Sequence, residues 1–279
     1  MIDDISKVKN NTERLRCFLA ENFFELETEG GSGSNLSFPN FDLFARDYLL
    51  FAEHEILQLK NNLTNIEHVH LINCVSHLRR AIDCQLDICL DVLKIKVFKK
   101  KNLSLEAKLK FFEEAGVFSS FSLSRFNRIR NKMEHGYQLP KIEDIETYFD
   151  LVSAFISVLE SMLSFISHLS EVNFILNKDN SNTNVYFSIW YSFDDIPSIS
   201  YQISESEKLP NMQDYADLNL YFEEMKKRLN DEDEDNDSIE VTVTVKERDD
   251  FPYFLKVLLL LGRKDSFVSD KYIFNELTK

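Results

Sequence analysis

Residues 66–98 read IEHVHLINCVSHLRRAIDCQLDICLDVLKIKVF. Apolar side chains recur along this stretch at three- and four-residue steps, the period of one helix face rather than of a strand. Neither Gly nor Pro interrupts it. A helix this long reads as the spine of a bundle. Upstream, FDLFARDYLLFAEHEILQLKN (41–61) carries the same period. Downstream, SLEAKLKFFEEAG (104–116) offers Ser104 as an N-cap and Gly116 as a stop. SLSRFNRIRNKMEHG (122–136) predicts a further helix ending at Gly136, and after Pro140 the stretch 141–170 predicts the last of the bundle. The expectation is a mainly α chain with a helical bundle over 41–172.

Outside the bundle the pattern changes. The segment 4–26 has a loose helical period through Val8, Leu15, Leu19 and Phe23, and EGGSGSN (29–35) holds three of the six glycines. Residues 1–40 therefore predict a helix followed by a flexible loop. NVYFSIWYS (184–192), SISYQIS (198–204) and SIEVTVTVKE (238–247) alternate apolar and polar residues as half-buried strands do. MQDYADLNLYFEEMKKRLN (212–230) and FPYFLKVLLLLG (251–262) read as helices, the second buried. Residues 173–279 predict a smaller α+β domain, regulatory or sensing in role, with Trp190 packed in its core.

The formal charge is -15, yet it is unevenly placed. Between Lys94 and Lys132 there are eleven Lys or Arg against three acids, and from Glu171 onward 23 acids against 12 bases. Much of the acidic excess lies in DEDEDND (231–237), which reads as a solvated loop. A basic island in an acidic chain is the footprint of a polyanion held through its phosphates, or the bland surface of lysine-bearing helices.

Cys17, Cys74, Cys84 and Cys89 form no CxxC pair. The opening MIDDISKVKNNTERL is charged from its third residue and does not read as a secretory leader. Free thiols and a cytoplasmic location are the expectation. The stretch 151–169 is apolar but carries Glu160 at its centre and five serines, which favours a buried bundle helix over a membrane span. There is no GxxxxGK[ST] loop, no GxGxxG after a strand, no GxSxG elbow and no HExxH, so ATP-driven, dinucleotide and serine-hydrolase chemistries have no motif support.

One stretch does carry chemistry. RIRNKMEHGY (128–137) places Arg130, Asn131, His135 and Tyr137 in an R-x4-H-x-Y arrangement. Imidazole titrates near neutrality and serves as acid or base. Guanidinium stays charged and can fork onto two phosphate oxygens. A five-residue step turns an ideal helix by about 500°, leaving Arg130 and His135 about 140° apart. They do not share a face, so either the helix ends at His135 or a second copy completes the site. The bland alternative pairs Arg130 with Glu134 one turn on, with His135 at the helix end.

With its helical surroundings, this arrangement resembles the HEPN superfamily over residues 41–170, and the lead-in LEAKLKFFEEAG is similar to that family as well. The resemblance implies a metal-independent endoribonuclease without a cofactor, cleaving RNA through 2′-hydroxyl attack. His135 would be general acid or base, Arg130 would bind the scissile phosphate, and Asn131 would orient either. Arg125, Arg128, Lys132, Lys99, Lys100 and Lys101 would hold the RNA backbone. It further implies a homodimer with a composite site. The settings it implies are toxin–antitoxin and antiphage abortive-infection systems, with tRNA among the targets. There Tyr137 would match the tyrosine modified by nucleotidyltransferase-type antitoxins; as a plain residue it packs beside the helix end. The other class the resemblance admits is a non-catalytic module binding a nucleotide or a protein.

His70, Cys74 and His77 share one helical face at zinc-compatible spacing but lack a fourth ligand, and a core or dimer-facing stripe is the reading preferred. Arg79 and Asp83, four apart, predict an ion pair.

Overall fold

A computed structural model describes residues 10–61, 66–95, 104–119, 128, 131–133, 135–136, 138–139, 141–177, 183–207 and 238–279. They contain a five-stranded antiparallel sheet, so the chain is a mixed α+β protein and not the mainly α one its helical periodicity suggests. The helix signal dominates because a 26-residue helix is legible from sequence, whereas β1 holds adjacent glycines and β2 follows directly on an apolar helix, so neither shows an alternating pattern of its own.

The chain packs as two compact units. One comprises residues 1–33, 169–192 and 198–279; the other comprises 34–168 and 193–197. In the first unit, helix α1 (Asn11–Asn22) starts at Asn10, whose side chain accepts from the Glu13 amide at 3.0 Å. A short 3₁₀ turn, Phe23–Glu25, leads into β1 (Leu26–Ser32). Strands β2 (Glu171–Asn177), β3 (Thr183–Ser192), β4 (Ser198–Glu207) and β5 (Ser238–Thr244) follow in spatial order β1-β2-β3-β4-β5. Every neighbouring pair is antiparallel.

The stretch expected to be a flexible loop is thus largely the edge strand β1. Its register runs from Leu26 opposite Leu176 to Ser32 opposite Glu171, with an irregularity between Thr28 and Gly30. Glycine here marks a bulge and a close backbone approach, not slack. A Cβ on Gly31 would lie 2.4 Å from the Glu171 carbonyl oxygen and 2.5 Å from Leu169 Cδ1, whereas one on Gly30 would meet nothing within 4 Å. Past the strand, the Ser170 amide donates to the Ser32 carbonyl at 2.8 Å.

One face of the sheet carries Phe174, Phe187, Ile189, Tyr201, Ile203 and Val243, all buried. Against it lie α1 and helix α6 (Phe251–Leu261), and helix α7 (Asp270–Thr278) packs on those two helices. Ring centroids of Phe18 and Phe187 are 4.9 Å apart, and those of Tyr201 and Phe254 5.8 Å apart. Burying each such ring contributes about 1.5–3 kcal/mol. Trp190 alternates with Ile189 and Tyr191 and lies half-buried on the opposite face, so it does not join this core as expected.

The second unit is helical. Helix α2 (Ala45–Lys60), α3 (Glu67–Val92), α4 (Leu105–Glu114) and α5 (Ile142–His168) form it. The spine α3 packs on α2 and α5, burying Leu78, Ile82 and Leu86 with Leu49, Ile56, Ile156 and Leu159. Ala52 and Ala81 let the backbones approach, and Cys74 Sγ donates to the Ala52 carbonyl at 3.6 Å. Ser104 caps α4 by accepting from the Ala107 amide at 3.3 Å, and Gly116 ends it with φ 69°. Among the described residues α5 alone is long and apolar enough to cross a membrane by length and composition; here Val152, Ile156, Leu159, Leu163 and Ile166 are buried. The helix expected at 212–230 and the acidic run 231–237 lie outside the described residues.

Candidate functional site

The R-x4-H stretch lies between α4 and α5. Arg128, Asn131, Lys132 and His135 are helical and exposed. Arg130 and Tyr137 lie outside the described residues, as do Arg125, Lys99, Lys100 and Lys101. Gly136 is itself helical, and the backbone has left the helix by Gln138, whose amide donates to the Lys132 carbonyl at 3.2 Å.

The described positions have a geometric property that the motif alone conceals. On an ideal helix Arg128, Asn131, Lys132 and His135 fall within an arc of about 100°. Two cations, a carboxamide and an imidazole therefore share one solvent-facing stripe. On such a helix Arg128 lies about two turns before His135 along the same stripe.

The rest of the basic island is partly neutralised. Lys108 Nζ donates to Asp87 at 2.6 Å, Lys110 pairs with Glu114 at 3.3 Å, and Lys94 Nζ donates to the Phe193 carbonyl. The bare footprint of eleven cations overstates the free positive charge, because sequence counts cannot show which lysines meet acids from other turns.

The His70, Cys74, His77 stripe does not assemble a metal site, and among the described residues no group of three His, Cys, Asp or Glu could hold one. His70 Nδ1 contacts Glu55, and Asn73 donates to the same carboxylate at 3.3 Å. Burial pushes the Cys74 thiol up to about 12, with the Glu55 charge adding to it. His77 is held below its ordinary value, mainly by burial, and its Nδ1 is buried without a hydrogen bond. Arg79 Nε meets Asp83 at 2.9 Å, as their spacing predicts.

A second feature, missed in the sequence, is a cavity of about 560 Å³ within the helical unit. It is assembled from residues 34–38 and 44–46, the C-terminal half of α3 and the last turns of α5. At its rim Arg46 is clamped onto Glu160 through Nε at 3.1 Å and Nη2 at 2.5 Å, and Nη2 also donates to Ser157 Oγ at 3.0 Å. The Glu160 carboxylate holds the Arg46 guanidinium above its ordinary value.

Comparison with protein-family models, with curated proteins and with solved structures finds no match to this chain.

Proposed function

We propose that the chain is a metal-independent endoribonuclease of HEPN type, acting on RNA as a homodimer within a toxin or antiphage system of the cytoplasm. The observation that carries the reading is the exposed stripe of Arg128, Asn131, Lys132 and His135, set in the R-x4-H-x-Y sequence of a helical unit. An accessible imidazole flanked by cations and a carboxamide has the donors an RNA phosphodiester requires.

In this reaction the 2′-hydroxyl oxygen forms a bond to phosphorus while the P–O5′ bond breaks. The 2′-hydroxyl proton passes to a general base, and the 5′-oxygen receives one from a general acid. The products are a 2′,3′-cyclic phosphate and a 5′-hydroxyl. His135 supplies one of the two proton-transfer groups and a second copy of the chain the other. Arg130 and Arg128 stabilise the charge on the phosphorane, and Asn131 orients the phosphate. Lys132 holds the flanking backbone. Tyr137 is the position at which a nucleotidyltransferase-type partner would silence the enzyme.

The test is incubation of the purified chain and His135→Ala with total RNA in EDTA, with the ends of the products identified. The wild type should yield cyclic-phosphate ends, and His135→Ala should be slower by about a hundredfold or more. RNA left equally intact by both proteins refutes the reading.

A further inference from the structure

The cavity in the helical unit is independent of the R-x4-H stripe. Its volume of about 560 Å³ lies within the range of about 300–1,000 Å³ that small-molecule sites occupy. Exposure grades from one end to the other. Ala45, Gln85, Leu163 and Ile88 are buried at its inner end, while Phe38 and Phe44 are 59% and 39% exposed at its mouth.

Gln85 is the residue that calls for a ligand. It is only 3% exposed, in the middle of the spine helix. Its carboxamide makes one weak contact, from Nε2 to Cys89 Sγ at 3.9 Å. Its oxygen has no partner among the described residues and is not sealed from the cavity, so it stays available to a ligand. This side chain lines the cavity with one donor and one acceptor from the same planar group.

The remaining lining narrows the class of ligand. The charge of Arg46 is matched by Glu160, so the rim favours neither an anion nor a cation. His168 Nδ1 is engaged with the Ser164 carbonyl at 2.7 Å. Leu36, Ile88 and Leu163 give apolar walls, and the two phenylalanines at the mouth offer ring faces. We propose that this cavity binds a neutral, planar lactam: a ring whose N–H and C=O edge pairs with the Gln85 carboxamide while its faces pack on the apolar wall and on Phe38 and Phe44.

Calorimetric titration of the full chain with 2-quinolone, quinoline and quinoline-2-carboxylate tests this. The first should bind at least about tenfold more tightly than the second, which has the same shape without the amide edge. Gln85→Leu should erase that difference. Ser164→Trp, placed on an exposed turn of α5 at the cavity, should abolish binding without shifting thermal unfolding. Equal affinity for quinoline, preference for the carboxylate, binding that survives Ser164→Trp, or no binding by any of the three overturns the proposal. Both variants retain the R-x4-H stripe, so loss of ligand with RNA cleavage unchanged separates this site from the ribonuclease reading.

Discussion

Replacing Gly31 by Ala should destabilise the sheet unit, while the same change at Gly30 should not. At position 31 the new methyl would stand 2.4 Å from a backbone carbonyl oxygen and 2.5 Å from Leu169 Cδ1. The leucine tip can swing aside, but the Glu171 carbonyl is fixed in the β1–β2 ladder. Relief therefore requires the edge strand to shift, at a cost of about 1–3 kcal/mol, the range for overpacking. At position 30 there is open space, and restricting the unfolded chain contributes up to about 1 kcal/mol in the opposite direction. The assay is urea unfolding followed by the fluorescence of Trp190. This is the only tryptophan and the register partner of Glu171, beside the clash. A loss of about 2 kcal/mol corresponds to a midpoint lowered by about 1 M for a slope of about 2 kcal/mol/M. If both variants fall within about 0.5 kcal/mol of wild type, as for ordinary surface positions, the close approach of β1 to β2 is refuted.

Alkylation of the native protein should modify Cys17 first, since it is exposed, whereas Cys74 and Cys89 are fully buried and burial raises both thiols; mass mapping of labelled peptides checks the order. Burial holds the folded His77 imidazole below its ordinary 6.5, so the unfolded chain takes up that proton first as pH falls. Its contribution to stability is full above about pH 6.5 and is lost as pH falls through the lowered value; His77→Leu should flatten this acid limb in urea midpoints measured from pH 8 to pH 5. In RNA-binding titrations Lys132→Ala should reduce the log–log salt slope by about 0.7, the share of one phosphate contact on a single strand, leaving product ends unchanged. Arg128→Ala and Arg130→Ala, compared in the cleavage assay, should each slow the reaction, and equal rates with wild type for both would remove arginine from the mechanism.

The helices were legible because their signals are local. Periodicity marks residues 67–92 as one helix, Ser104 and Gly116 mark the ends of α4, and the alternation in 184–192 and 238–244 marks β3 and β5. What escaped depends on distant partners. EGGSGS has the composition of a linker, yet its glycine at 31 is there because the β2 backbone passes too close for any side chain. β2 itself follows the apolar helix α5 after two residues, and its onset is masked by that run. Trp190 does not join the core because its neighbours Ile189 and Tyr191, on the other face of β3, fill it instead. At the R-x4-H stretch both the residue types and the helix were readable, and the alignment of Arg128 with His135 follows from the helical period; what the structure adds is that both are exposed. The cavity could not be read at all, since residues near 35, 45, 85 and 165 meet only in three dimensions.

The β1–β2 pairing joins Ser32 to Glu171 across 139 positions of chain. On the ribosome the first strand is made long before its neighbour exists. At about 5–20 residues per second, it waits on the order of ten to thirty seconds with its edge unpaired. During that time residues 34–168, the four helices of the second unit, emerge and can fold. A short strand with two adjacent glycines has little tendency to aggregate while it waits. The sequence that weakens β1 as a strand thereby protects it during synthesis, until Glu171 arrives to close the sheet.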